Sequence, residues 1–255
     1  STLDRSSAAS DVYKRQTVHL EAGFVLHQRP YRNTSQLVDC LTENHGVVTL
    51  VARGSRRPQR GQRAVLQPFF SLYLSWVRRG ELGRLTHAAP KPPQLELSGE
   101  ALLAGFYLNE LLLRLMARGD PNAAVYSCYS RCVVELASLS DTARTLRLFE
   151  LRFLEALGYG LALEQDVDTG EPIRPECQYR FEPEHGFTIQ EPSKSGANVF
   201  SGRELICLRE ERLDDKVSLL SAKRLLRCAL RVYLGERPLS TRTVLQVVYG
   251  QGLER

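Results

Sequence analysis

Between Glu43 and Glu81 the chain has no aspartate or glutamate, although the 255 residues carry 29 acids in all. That gap removes local partners from seven arginines that fall inside it: Arg53, Arg56, Arg57, Arg60, Arg63, Arg78 and Arg79. Other absences narrow the function. No apolar run approaches the roughly 20 residues that a helical membrane span requires, so no membrane partner is expected. The six cysteines (40, 128, 132, 177, 207 and 228) lack the spacing of a disulfide framework. They read as free, mostly buried thiols of a reducing cytoplasm. The chain has no P-loop, no dinucleotide-binding glycine fingerprint, no HExxH and no nucleophile elbow. Its five histidines are dispersed, so no catalytic residue is assigned and no enzyme is expected.

What is present is ordinary for a globular protein, with 43% hydrophobic and 25% charged residues. The formal charge of +5 is unevenly spread. Residues 17–95 hold eleven Arg/Lys against four acids, a local balance of +7, so the remainder is slightly acidic. Such asymmetry points to an anionic partner for the first third of the chain.

Residues 1–16 have neither an apolar core nor an amphipathic period and read as a disordered or non-native leader. Short apolar segments at 17–27, 36–41, 47–51, 66–76 and 82–87 then alternate with Gly, Pro and Asn turns. Five short strands of that spacing predict a small closed barrel of OB type, because closure leaves no open sheet edge. Ala89-Pro-Lys-Pro-Pro93 marks a boundary, which gives an OB-fold domain over 17–90 and a helical domain over 95–255. In the second part the apolar period becomes helical, with helices predicted at Glu100–Met116, Asn122–Leu139, Asp141–Leu157 and Lys216–Leu234. Asp214 and Asp215 suit the positive end of the last helix, and Gly235 suits its stop. Residues 161–200 read as a loop region holding a hairpin, Gln178–Phe181 with Gly186–Ile189, and short tail helices are placed near Ser240–Tyr249. The fold class is α+β.

Several constellations carry chemistry. Five arginines crowd the segment from Arg53 to Arg63, where forked guanidiniums suit phosphate oxygens and Gly54 and Gly61 allow close approach. Tyr31, Phe69, Phe70, Tyr73 and Trp76 are candidate platforms for unpaired bases. Strand alternation buries about half of such a set, and Tyr31, beside Arg29 in a polar turn, is the best placed for exposure. On the third helix Arg144 and Arg147 lie beside an apolar stripe that includes Phe149. That arrangement suits an acidic peptide with an aromatic end; pairing of these arginines with Glu150 or Glu155 is the competing reading. Lys216, Lys223, Arg227 and Arg231 form a stripe on the last helix, either a second nucleic-acid surface or a solvated face. Cys128 and Cys132 have no further ligand at metal spacing and read as core thiols. Glu164, Asp166, Asp168 and Glu171 could in principle bind Mg²⁺, which would make the protein a metal-dependent nuclease; a solvated acidic loop is the simpler reading. An RNA-binding assembly factor on the same barrel is the other alternative.

Taken in order, the residues resemble bacterial RecO recombination mediators. The likeness runs through Phe24-Val-Leu-His-Gln-Arg-Pro-Tyr-Arg-Asn-Thr-Ser35, His45-Gly46, Leu50-Val-Ala-Arg-Gly54, Leu66-Gln-Pro-Phe69 and Arg79-Gly-Glu-Leu82. It continues in Tyr107-Leu-Asn-Glu-Leu-Leu112, Leu146-Arg-Leu-Phe-Glu-Leu151, Leu157-Gly-Tyr-Gly160, Phe200-Ser-Gly-Arg203, Ala222-Lys-Arg224, Tyr233-Leu-Gly235 and Pro238-Leu-Ser-Thr-Arg242. No single motif is specific, but the collinear set covers about residues 20–245.

This resemblance implies a non-enzymatic role in recombinational repair through the RecF pathway, in the bacterial cytoplasm at the nucleoid. It implies binding of single- and double-stranded DNA and strand annealing. Its implied partners are RecR, the acidic tail of single-stranded DNA-binding protein and, indirectly, RecA. The resemblance carries Arg53, Arg56, Arg57 and Arg60 over as DNA-binding residues and Arg147 as a residue that holds the acidic tail; the residue pattern adds Arg29, Tyr31 and Arg63 to the first set and Arg144 and Phe149 to the second. Two departures stand out. The paired Cys-x-x-Cys of zinc-binding members is missing, so no metal or other cofactor is expected. Ser240-Thr-Arg242 stands where the family usually has Lys-Ser-Arg, which weakens the case for DNA contact there.

Overall fold

A computed structural model describes residues 16–56, 62–78, 80, 82–138, 141–191 and 196–241. The chain divides into two compact units, one running to Thr42 and from Val48 to Pro93, the other comprising Glu43–Val47 and the chain from Gln94 onward.

The first unit is a closed barrel of strands β1 (Gln16–Tyr31), β2 (Ser35–Thr42), β3 (Gly46–Ala52), β4 (Ser71–Arg78) and β5 (Gly83–Pro90), in the spatial order β1-β2-β3-β5-β4. This is the OB-fold order. β1 is long enough to serve both neighbours because bulges near Val18–Glu21 and Val25–His27 bend it. Its inward side chains Val18 and Val25 meet Val38, Cys40, Leu50, Leu72, Leu74 and Trp76 in one apolar core. Closure rests on a short parallel contact, Leu50 beside Gly83 and Val51 beside Arg84. A Cβ on Gly83 would lie 2.5 Å from Leu50 Cδ2 and 3.1 Å from Trp76 Cδ1, so only glycine fits that seam without displacement. Gly83→Ala is therefore expected to cost about 1–3 kcal/mol through overpacking, read as a lower urea midpoint with an unchanged slope.

The apolar run 66–76 is not one strand. A single helical turn, α1 (Gln62–Val65), precedes it, fully buried Leu66 joins the barrel core, and β4 starts only at Ser71. Phe69 is buried in a left-handed backbone conformation (φ 71°), and its N–H donates to Val25 O at 3.3 Å. β1 also runs past the predicted turn, carrying Arg29 and Tyr31 on the strand itself.

In the second unit, α2 (Gly99–Leu115), α3 (Ala123–Ala137), α4 (Thr142–Ala156) and α6 (Lys216–Leu234) pack around Leu108, Leu111, Tyr129, Phe149, Phe153 and Leu226. Their starts are written in the sequence: Asn122, Asp141 and Asp215 each accept backbone N–H bonds as N-caps. A three-stranded sheet holds β6 (Gln178–Glu182) between β7 (Gly186–Gln190) and β8 (Val199–Ser201). β8 leads directly into α5 (Gly202–Arg209), whose start is a full capping box between Ser201 and Glu204. Neither β8 nor α5 is among the expected elements. On α2, Glu110 accepts the N–H groups of Ser240 and Thr241, and Arg114 donates to the carbonyls of Leu234, Arg237 and Pro238. That pair fixes the chain as it leaves α6. The expected tail helix lies, beyond Thr241, outside the described residues. No described helix is long and apolar enough to cross a membrane.

Candidate nucleic-acid interface

Two connections build the basic end of the barrel. The first is the β1–β2 hairpin, in which Tyr31 faces Ser35 across a tight turn and Arg29 lies two residues earlier on the same face of β1. Arg32 takes a left-handed conformation (φ 53°) in that turn, and its guanidinium carbon sits 5.2 Å from the Tyr31 ring centroid. The second is the segment after β3. Gly54, at φ 68°, reverses it, and fully buried Ser55 donates to Ala52 O at 3.0 Å or Gln36 Oε1 at 3.1 Å. The Arg56 N–H then donates to Thr34 O at 3.1 Å. These bonds pin the backbone of the arginine segment onto the hairpin turn and leave the side chains of Arg53 and Arg56 exposed.

Elementary electrostatics makes this end cationic. Arg29, Arg53 and Arg56 are exposed and, among the described residues, engage in no ion pair. Two of the four acids in the segment are turned inward. Glu21 is buried, and Asp39 is buried against Thr49, which donates to it at 2.6 Å, with His27 Nδ1 at 3.8 Å. Arg84, exposed on β5 beside Val51, and Arg32 add to the surface. Neither was among the expected site residues, although Arg32 is legible in the Arg-Pro-Tyr-Arg turn. Arg57 and Arg60 lie outside the described residues, and for Arg63 only the backbone, within α1, is described. Of the candidate aromatic platforms, Tyr31 and Phe70 are half-buried and Tyr73 is exposed with Lys91 over its ring, whereas Phe69 and Trp76 are core residues. A half-exposed tyrosine such as Tyr31, with Arg32 over its ring and Arg29 beside it, can stack on a base while the arginines hold the adjoining phosphates.

The α4 face differs from the expected groove. Phe149 is 1% exposed and stacks on Phe153 at 5.3 Å inside the helical core, so it lines no open surface. The apolar stripe that includes Phe149 is the buried side of α4. Arg147 is 12% exposed at its side chain and pairs with Glu150 at 2.9 Å. Buried Glu150 Oε1 also accepts the Tyr107 hydroxyl at 2.5 Å. Arg144 donates to Glu211 O at 3.2 Å and sits 3.6 Å from Asp214. Both arginines thus already have intramolecular acceptors, and an acidic ligand would share or displace them.

The acidic loop and the two helix cysteines have structural roles. Asp166 is 3% exposed and accepts the N–H groups of Asp168 (2.9 Å) and Thr169 (2.8 Å) on one oxygen and of Ile189 (2.5 Å) on the other. Burial alone would raise its carboxyl, but the donors at Thr169, Ile189 and Asp168 outweigh that and hold it below its ordinary value. Asp168 meets His185 at 3.2 Å and Glu171 meets Arg174 at 3.6 Å, so these acids do not converge on one point. Among the described residues no group of three or more His, Cys, Asp or Glu could hold a metal ion. Burial raises the Cys128 thiol to about 11 and the Cys132 thiol further, which keeps both protonated near neutrality.

A closed OB barrel with a cationic hairpin end, followed by a helical unit, defines a class of phosphate-suited OB-fold protein. Comparison gives the particular family. The family model described as "Recombination protein O N terminal" matches residues 17–92, and "Recombination protein O C terminal" matches residues 96–243. Among curated relatives, "DNA repair protein RecO" of Actinobacillus pleuropneumoniae serotype 7 (strain AP76) is 40% identical over 227 residues, covering 89% of this chain and 94% of that protein. Its namesake in Coxiella burnetii (strain CbuG_Q212) is 41% identical over 228 residues, covering 89% and 98%. That of Nitrosospira multiformis is 38% identical over 233 residues, covering 91% and 96%. The chain belongs to the RecO family.

Proposed function

We propose that this protein is a DNA-binding recombination mediator in DNA repair, which holds DNA at the basic end of its barrel and anneals complementary strands. One observation carries the reading: Arg29, Arg53 and Arg56 are exposed and without ion-pair partners among the described residues, on a loop and hairpin tied together by the Arg56 N–H on Thr34 O and by Ser55 on Gln36. Each phosphate neutralised releases condensed counterions, so binding of both strand types follows from charge and not from sequence. Two complementary strands held by such a surface repel each other less, and pairing then proceeds without a nucleotide cofactor or a catalytic group. On this reading the protein works at the nucleoid, in the RecF pathway with RecR, engaging single-stranded DNA-binding protein and helping RecA to load.

The direct test is annealing of complementary oligonucleotides coated with single-stranded DNA-binding protein. Acceleration by the protein without ATP is the expected result; an annealing rate equal to the protein-free control would contradict the proposal.

The α4 arginines supply the reading for the acidic tail. Removing Arg147 alone takes the cation of this pair away from the buried Glu150 carboxylate, which is destabilising. The informative variant is therefore Arg147→Ala combined with Glu150→Gln. It is expected to bind an acidic, Phe-terminated peptide about tenfold more weakly, the loss of one charge-assisted hydrogen bond, with naked-DNA affinity unchanged. Equal peptide affinity by fluorescence anisotropy would reject the role of Arg147.

A further inference from the structure

The turn after α4, the β6–β7 hairpin and the C-terminal end of α6 enclose an open pocket of about 190 Å³, whose lining includes Tyr159, Phe181, Glu184, His185, Val232 and Tyr233. Its volume equals that of about six waters at liquid density. Tyr159 stacks on Tyr233 with ring centroids 4.1 Å apart and planes 16° apart, yet Tyr159 remains 43% exposed. Flanked by Gly158 and Gly160, this tyrosine is not in place to fill a core. Val232 is exposed as well.

The charge of the lining is one-sided. Glu184 is its sole acid, and it contains no lysine or arginine. Glu184 takes a left-handed backbone conformation, φ 69°, as a tight hairpin turn requires of one of its residues, and its side chain is exposed. Its charge is felt at the rings: after burial and Tyr159, Glu184 is a further cause that pushes the Tyr233 hydroxyl up. His185 beside it is held by Asp168 at 3.2 Å. Aromatic faces next to a carboxylate attract a cation, because the ring quadrupole and the acid act with the same sign.

We propose that this pocket receives the cationic head of an arginine or lysine presented by a basic segment of a partner protein. A nucleic acid fits less well. A base stacked on Tyr159 would bring its phosphate toward Glu184, with no cation in the lining to receive it. The lining shares no residue with the barrel's arginines or with Arg144 and Arg147, and the proposal does not depend on the function proposed above.

The test uses the full chain with ¹³C-labelled tyrosine rings, titrated with N-acetyl-arginine amide and, separately, with thymidine monophosphate. Saturable shifts of the Tyr159 and Tyr233 rings by the arginine probe are expected in the range of tens of millimolar. Glu184→Gln, an exposed change, is expected to weaken the probe about three- to fivefold, as the loss of one solvent-exposed ion pair. Tyr159→Ala should abolish the shift at Tyr233. The proposal is overturned by an absence of saturable shifts, by equal affinity in Glu184→Gln, or by tighter binding of the nucleotide at the same rings.

Discussion

Replacing Arg29, Arg53 and Arg56 together with alanine is expected to lower single-stranded DNA affinity about a hundredfold at 0.1 M salt. The figure follows from counterion release, at about 0.7 log units per phosphate contact per decade of salt. Three lost contacts correspond to about 2.1 log units between 0.1 M and 1 M, so the two proteins should converge in affinity at high salt. The slope of log K against log salt flattens by the same amount, or by about 2.7 for duplex DNA. Because all three side chains are exposed and without ion pairs among the described residues, the barrel itself should melt as before. Adding Arg57→Ala and Arg60→Ala is expected to extend the loss in the same direction. A parallel downward shift with an unchanged slope would mean that the arginines act through folding and not through phosphate.

The second large effect falls on the small sheet of the helical unit. Asp166, its carboxylate buried, closes its own loop on the N–H groups of Asp168 and Thr169 and joins that loop to β7 through the N–H of Ile189. Asp166→Ala leaves those donors without their acceptor and is expected to cost about 1–3 kcal/mol. Amide exchange at Ile189 should accelerate with it. Asp166→Asn keeps one acceptor oxygen and should cost less. The pH dependence separates charge from shape. The folded-state pKa lies below the ordinary carboxyl value of 3.8, so the stabilisation is fully present above that value and is lost as pH falls through the folded pKa. Wild type should therefore lose stability in this acid window, and Asp166→Asn should lose less. Equal acid sensitivity in the two proteins would remove Asp166 as the cause.

Much of the architecture is legible because the chain writes it locally. Alternating apolar residues and turn residues specify the five barrel strands, and Asn122, Asp141 and Asp215 sit at the helix starts that they cap. The failures have physical reasons. Leu66–Phe70 is largely apolar without being a strand, because Leu66 and Phe70 pack on the barrel core from a turn, and short apolar runs carry no period to separate the two cases. β8 has three residues, too few for alternation to register, although the Ser201–Glu204 capping box that starts α5 is visible in the sequence.

The site was legible in charge but not in partnership. An acid-free arginine run shows where cations gather. It does not show that Ser55 and the Arg56 amide tie that run to the turn holding Tyr31. On α4 the pattern misleads in the other direction. Phe149 belongs to the stripe that every amphipathic helix buries, and Glu150, the pairing partner of the competing reading, does pair with Arg147 but lies beneath the surface beside Tyr107.

The central claim, that the barrel's cationic end is where DNA is held, is tested most directly by arginine-specific dicarbonyl modification mapped by mass spectrometry, with and without a single-stranded oligonucleotide at low salt. Strong protection of Arg29, Arg53 and Arg56 on addition of DNA is the predicted result, reversed at high salt. Equal modification of these three arginines in the presence and absence of bound DNA would contradict it.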